Sequence, residues 1–142
     1  MDNKVSICFP ASSEYERFAR TVAAAFAIPL DPTVEELDEI KIAVSEAVTN
    51  AIIHGYCGAD GIIELNAELD GRELTFIIRD MGNGIADIDK AREPLYSGSS
   101  DPERSGMGFS IMEAFTDELT VTSTLGEGTT VVMRKRLADH AG

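Results

Sequence analysis

The sequence predicts an α/β (α+β) two-layer sandwich, with a mixed, mostly antiparallel sheet covered on one face by helices. Three observations predict it. Two helical stretches open on capping-box spacings, Ser13/Glu16 and Thr33/Glu36. Two pairs of alternating apolar runs flank turn signals, Asp70-Gly71 and Gly126-Glu127-Gly128. The order strand, helix, helix, hairpin, loop, helix, hairpin places three helices against consecutive hairpins.

Each element follows from local pattern. Val5, Ile7 and Phe9 alternate with Ser6 and Cys8, and Pro10 ends that strand. Tyr15, Phe18, Ala19, Val22, Ala23 and Phe26 recur at helical spacing, and Pro29-Leu30-Asp31-Pro32 breaks the helix. The second helix carries the stripe Leu37, Ile40, Val44, Ala47, Val48, Ala51 and Ile52, and should stop at Gly55. Ile63, Leu65, Ala67 and Leu69 alternate in one strand. Leu74, Phe76 and Ile78 alternate in its return, which runs into Asp80. Residues 85–105 are rich in Ser, Asp, Pro and Gly, with weak periodicity. Phe109 to Phe115 reads as a short helix, and 119–124 with 129–136 as the last hairpin. The pattern shows neither repeat nor interdomain linker, so residues 1–142 are expected to form one domain.

Charge narrows the function classes. The chain has 25 acidic against 12 basic residues, a formal net charge of −13. Such a surface repels nucleic-acid phosphates and anionic membranes, so neither is an expected partner. Cys8 and Cys57 have no metal-ligand spacing and are expected to be unpaired thiols. No signal-peptide pattern follows Met1, and no apolar run reaches membrane-spanning length. A cytoplasmic protein is expected.

Three local patterns carry chemistry. Glu46 and Asn50, four apart, share one face of the second helix. The amide oxygen can ligate Mg²⁺, and the carboxylate can accept a proton. A solvated helix face is the plain alternative. Asp80-Met81-Gly82-Asn83-Gly84 follows a strand. An acid there can accept a hydrogen bond from an exocyclic amine, while glycines let backbone approach a flat ring. A strand-ending turn is its alternative. Ser105-Gly106-Met107-Gly108 precedes a helix whose first amides could bind phosphate, with Arg104 beside them. A simple helix cap is the alternative. The glycines fit neither a Walker loop nor a dinucleotide-binding loop.

In combination, Glu46-x₃-Asn50, Asp80-x-Gly82-x-Gly84, Gly106-x-Gly108 and Gly128-Thr129-Thr130 resemble the GHKL (Bergerat) ATP-binding fold over roughly Val5 to Leu137. The segments 45–56 and 104–112 are similar to bacterial anti-sigma factors that are also serine kinases. Leu30-Asp31-Pro32-Thr33 and Glu93-Pro94-Leu95 resemble the sporulation branch, which acts on a sigma F factor.

That resemblance implies ATP and Mg²⁺ as ligands. It implies Glu46 as catalytic base, Asn50 as the Mg²⁺ ligand, and Asp80 as the reader of the adenine amine. It places Gly82, Gly84 and Thr130 at the base, and Gly106, Met107 and Gly108 at the phosphates. Arg104 would contact phosphate and partner, and Arg20 the sigma factor and the antagonist. His54 is a candidate for the phosphate region, or a helix-end histidine favoured by the dipole. His140 lies in a polar tail. Neither histidine sits in a phosphoacceptor helix, which disfavours self-phosphorylation on histidine. Residues 85–105 would form an ATP lid. The implied function is to bind a sporulation sigma factor and to phosphorylate its anti-anti-sigma factor, as a homodimer. A general-stress sigma-factor kinase and an ATP-liganded switch without phosphoryl transfer are the alternatives.

Overall fold

The structure, a computed structural model, describes residues 3–57, 59–85, 87, 88, 92 and 108–139. Strand β1 (Asn3–Pro10) points Phe9 into the core while Ser6 and Cys8 stay exposed, as the alternation requires. Helix α1 (Glu14–Ala27) buries Ala19, Ala23, Ala24 and Ala27, and these small side chains let it lie close to the next helix. Its expected capping box does not form, because the Ser13 side chain makes no cap hydrogen bond. Glu16 is engaged elsewhere: its carboxylate accepts the hydroxyl of Ser45.

Helix α2 (Val34–Asn50) does begin with a capping box. The Glu36 N–H donates to Thr33 Oγ1 at 3.0 Å, and the Thr33 N–H to Glu36 Oε1 at 2.9 Å. The helix then continues to Gly55 in a π turn (Ala51–Gly55), closed by the Tyr56 N–H donating to the Ala51 carbonyl at 3.0 Å. The stop at Gly55 agrees with the sequence; the wider last turn was not legible there.

Strands β2 (Ile62–Asp70) and β3 (Glu73–Asp80) form the expected hairpin. After α3 (Gly108–Phe115) come β4 (Glu118–Thr124) and β5 (Gly128–Arg136). The sheet order is β1-β2-β3-β5-β4, and all four neighbouring pairs are antiparallel. The parallel component expected of a mixed sheet is thus not found among the described strands. β5 returns to the middle of the sheet, which sets Asp80 opposite Thr129.

Ile63, Leu65, Leu74, Ile78 and Met133 pack from the sheet onto Ile40, Val44 and Val48 of α2 and Met112 of α3. Alternation leaves Glu64, Asn66, Thr75 and Arg79 on the face that carries none of the described helices. Below the helices, Lys135 is buried. Its Nζ donates to Glu39 Oε2 at 2.6 Å and to the Phe115 carbonyl at 2.9 Å, so one cation joins α2 to the C-terminal end of α3.

Candidate nucleotide-binding site

The last turn of α2, the segment after β3 and the β4–β5 turn meet through glycines. A Cβ added to Gly82 would lie 2.0 Å from the Gly55 carbonyl oxygen. One on Gly128, at φ 116°, would lie 2.1 Å from the Asp80 carbonyl oxygen. Only glycine permits either approach. Asn83 bridges the three segments: its N–H donates to the Gly55 carbonyl at 2.7 Å, and its carbonyl accepts the Gly126 N–H at 2.6 Å.

Asp80 stands at this junction and is 5% exposed. Its carboxylate accepts the Gly82 N–H at 2.9 Å and a backbone bond from Thr129. Burial raises its proton affinity above the ordinary carboxylate value, and the two amide donors oppose that rise. Asn50, Ala51, His54, Gly55, Gly84, Ile85, Thr129 and Val131 line the small cavity it shares, about 20 Å³. A wider, open concavity of about 560 Å³ lies on the other side of Ile85, against Asp87, Arg92, Leu119, Val121 and Ser123. The carboxylate, the carboxamide and the end of α2 belong to the smaller one, so the chemistry is assigned there.

Glu46 and Asn50 lie one turn apart on α2, both half-buried. A Cβ on Gly108 would stand 3.4 Å from Glu46 Oε2, so the first residue of α3 faces this carboxylate. Burial, and secondarily the charge of Glu16, raises the proton affinity of Glu46. The arrangement joins a proton acceptor to a helix N-terminus suited to phosphate. Asn50 offers one neutral oxygen, a donor that suits Mg²⁺, which keeps most of its other ligands as water and phosphate.

Asp80 and Gly84 line the cavity with Asn50 and His54, Gly82 donates to Asp80, and Gly108 stands beside Glu46. One assignment moves by a residue. Thr130 pairs with Arg79 and takes the opposite side of the sheet, and it is Thr129 that lines the cavity. The cause is the period of two along β5. Arg20 lies on α1, with its Nε 3.9 Å from Glu16 Oε1. Arg104, Gly106, Met107, His140 and most of the segment 85–105, expected to form a lid, fall outside the described residues.

Ser123 lies in none of the sequence motifs, yet it joins the site. Its hydroxyl accepts the Ile85 N–H at 2.7 Å, donates to the Gly128 carbonyl at 2.9 Å and lies 2.9 Å from Thr129 Oγ1. Its inward position on β4 was the one available signal.

Comparison with known proteins shows the family. The model of the histidine kinase-like ATPase domain matches residues 9–135. Anti-sigma F factor of Clostridium acetobutylicum is 52% identical over 97% of this chain and 96% of its own length. That of Shouchella clausii is 56% identical over 96% and 94%. The chain is a histidine kinase-like ATPase domain of the anti-sigma F factor family.

Solved structures show the same fold at low identity. The structure of the RsbU and RsbW domains of Rv1364c from Mycobacterium tuberculosis aligns with a TM-score of 0.67 and 21% identity, over 95% of this chain and 32% of that one. The mycobacterial sensor histidine kinase MprB aligns at 0.57 and 18%, over 72% and 73%. As a histidine kinase-like ATPase domain, the chain binds ATP. Among the described residues no helix is long and apolar enough to cross a membrane.

Proposed function

We propose that this anti-sigma F family domain binds a sigma F-type sporulation factor and transfers the γ-phosphoryl group of ATP to a serine of the anti-anti-sigma factor. One observation carries the kinase half: Glu46, a carboxylate of raised proton affinity, faces the first residue of α3. The relatives that share about half its residues are named anti-sigma F factors, which supports the sigma-binding half.

In this reading Asp80 accepts the adenine amine, and Gly82 and Gly84 keep its surroundings open. A purine is much larger than the 20 Å³ cavity, and Ile85 lines both that cavity and the larger concavity. Asn50 holds Mg²⁺, which supplies charge neutralisation at the phosphates when bound. The α3 N-terminus at Gly108 directs amides at phosphate oxygens. Arg104, Gly106 and Met107 complete that end, and His54 borders it. Glu46 takes the proton of the serine hydroxyl as its oxygen forms the new bond to phosphorus and the bond to the ADP oxygen breaks. Arg20 and Arg104 contact the protein partners. The domain works as a homodimer in the cytoplasm.

Co-purification with the sigma factor, with and without ATP·Mg²⁺, tests the reading. Addition of the antagonist should then release sigma and yield phosphoserine. Failure to retain the sigma factor in ATP·Mg²⁺ removes the anti-sigma role, and absence of phosphoserine removes the kinase.

A further inference from the structure

Tyr56 follows the π turn, and its hydroxyl serves two backbone groups. It donates to the Ile62 carbonyl at 2.6 Å and accepts the Met81 N–H at 2.8 Å. Ile62 opens β2, and Met81 directly follows Asp80. One oxygen therefore ties the end of α2, the start of β2 and the segment that carries the adenine-facing carboxylate. The ring has a fixed seat. A Cβ on Gly61 would come within 2.4–2.6 Å of its Cε1, Cδ1 and Cζ atoms, so the glycine leaves room for it.

The same short segment is held from the other side. The Asn83 N–H donates to the Gly55 carbonyl at 2.7 Å, and the Gly82 N–H donates to Asp80 itself. Residues 55 and 56 thus grip residues 81 and 83, leaving Gly82 between them aimed at the carboxylate.

We propose that Tyr56 is a positioning residue for base specificity, acting through Met81 on the height of the Asp80 carboxylate in the pocket. The proposal rests on the reading that Asp80 accepts the adenine amine. Guanine presents a carbonyl oxygen where adenine presents that amine, so a fixed carboxylate rejects it as two facing acceptors. A carboxylate free to retreat discriminates less. The hydroxyl of Tyr56 is engaged by two backbone groups, and through them it limits how far the segment can move.

Tyr56→Phe keeps the ring on Gly61 and removes the oxygen. Its Mg·ATP affinity should fall about three- to tenfold, the size expected for one lost backbone anchor. Mg·GTP affinity should change by less than about twofold, so the ATP/GTP ratio narrows. Phosphoryl transfer at saturating ATP should stay within about twofold of wild type, placing the effect on KM and not on kcat. Gly61→Ala, which pushes the ring without removing the hydroxyl, should narrow the ratio in the same direction. A Tyr56→Phe protein that binds ATP as wild type does overturns the proposal. So does an equal loss of ATP and GTP affinity, which is what a merely structural tyrosine would give. If Tyr56→Phe unfolds, Gly61→Ala decides by the same two affinities. Wild-type protein that shows no preference for ATP would instead overturn the reading of Asp80.

Discussion

Gly55 packs its α-carbon directly against the carboxyl group of Asp80: a Cβ at position 55 would stand 2.8 Å from Asp80 Cγ and Oδ1. The end of α2 therefore sets the wall of the pocket that Asp80 floors. Gly55→Ala should push the carboxylate out of its place beside Gly82 and Thr129. We expect ATP affinity to drop by about tenfold or more, with about 1–3 kcal/mol lost from stability through overpacking. Nucleotide titration and urea unfolding on the same variant measure both.

Asp80 is buried with its proton affinity raised, and the sign of its pH effect follows. The folded protein holds this proton more tightly than the unfolded chain does. Its contribution to stability is greatest below the ordinary carboxylate pKa, and it falls as pH rises toward the raised folded value. Asp80→Asn removes that dependence. Subtracting the variant's unfolding free energy from wild type across pH 3.5–8 should give a difference that declines with rising pH through this window. A difference that climbs with pH would contradict the assignment. The same variant should lose adenine binding, since the amide turns a donor toward the pocket.

Glu46 separates phosphoryl transfer from nucleotide binding. Glu46→Gln keeps the shape of the side chain against Gly108 and cannot take a proton. Transfer to a serine-bearing partner should fall about 10²–10⁴-fold while Mg·ATP affinity stays within a few-fold. Wild-type transfer by this variant would remove Glu46 as the base. Asn50→Ala should have the complementary effect, with nucleotide affinity no longer rising when Mg²⁺ is added.

Much of this was legible in sequence, and the failures have physical reasons. Hairpins, helices and the strand end at Asp80 follow from periodicity and turn chemistry. The α2 capping box forms with Glu36 Oε1 on the Thr33 N–H while its Oε2 accepts the Ala138 N–H at 3.0 Å, whereas Glu16 took the Ser45 hydroxyl across the helix interface. That competition is tertiary and leaves no local mark. Thr129 and Thr130 differ only in sheet face, which depends on the register with β3. Tyr56, Gly55 and Ser123 hold the pocket through contacts to backbone distant in sequence. Their residue types alone do not announce those contacts.

Glu16 lies on a different helix from the base, yet its charge acts on Glu46, and Ser45 fixes where it stands. Glu16→Gln keeps an oxygen for the Ser45 hydroxyl and removes the charge. The base should then hold its proton less tightly. General-base transfer rises with pH as Glu46 deprotonates, so the acidic limb of the pH–rate profile should move to lower pH in the variant. Burial, the larger cause of the raised affinity, is untouched, so the limb should remain above that of an ordinary glutamate. Arg20 lies 3.9 Å from Glu16 and partly screens its charge, so Arg20→Ala should move the limb the opposite way. Transfer rates at saturating ATP and saturating protein substrate, measured from pH 4.5 to 8 for the three proteins, decide it; coincident limbs would show that Glu16 has no hold on the base.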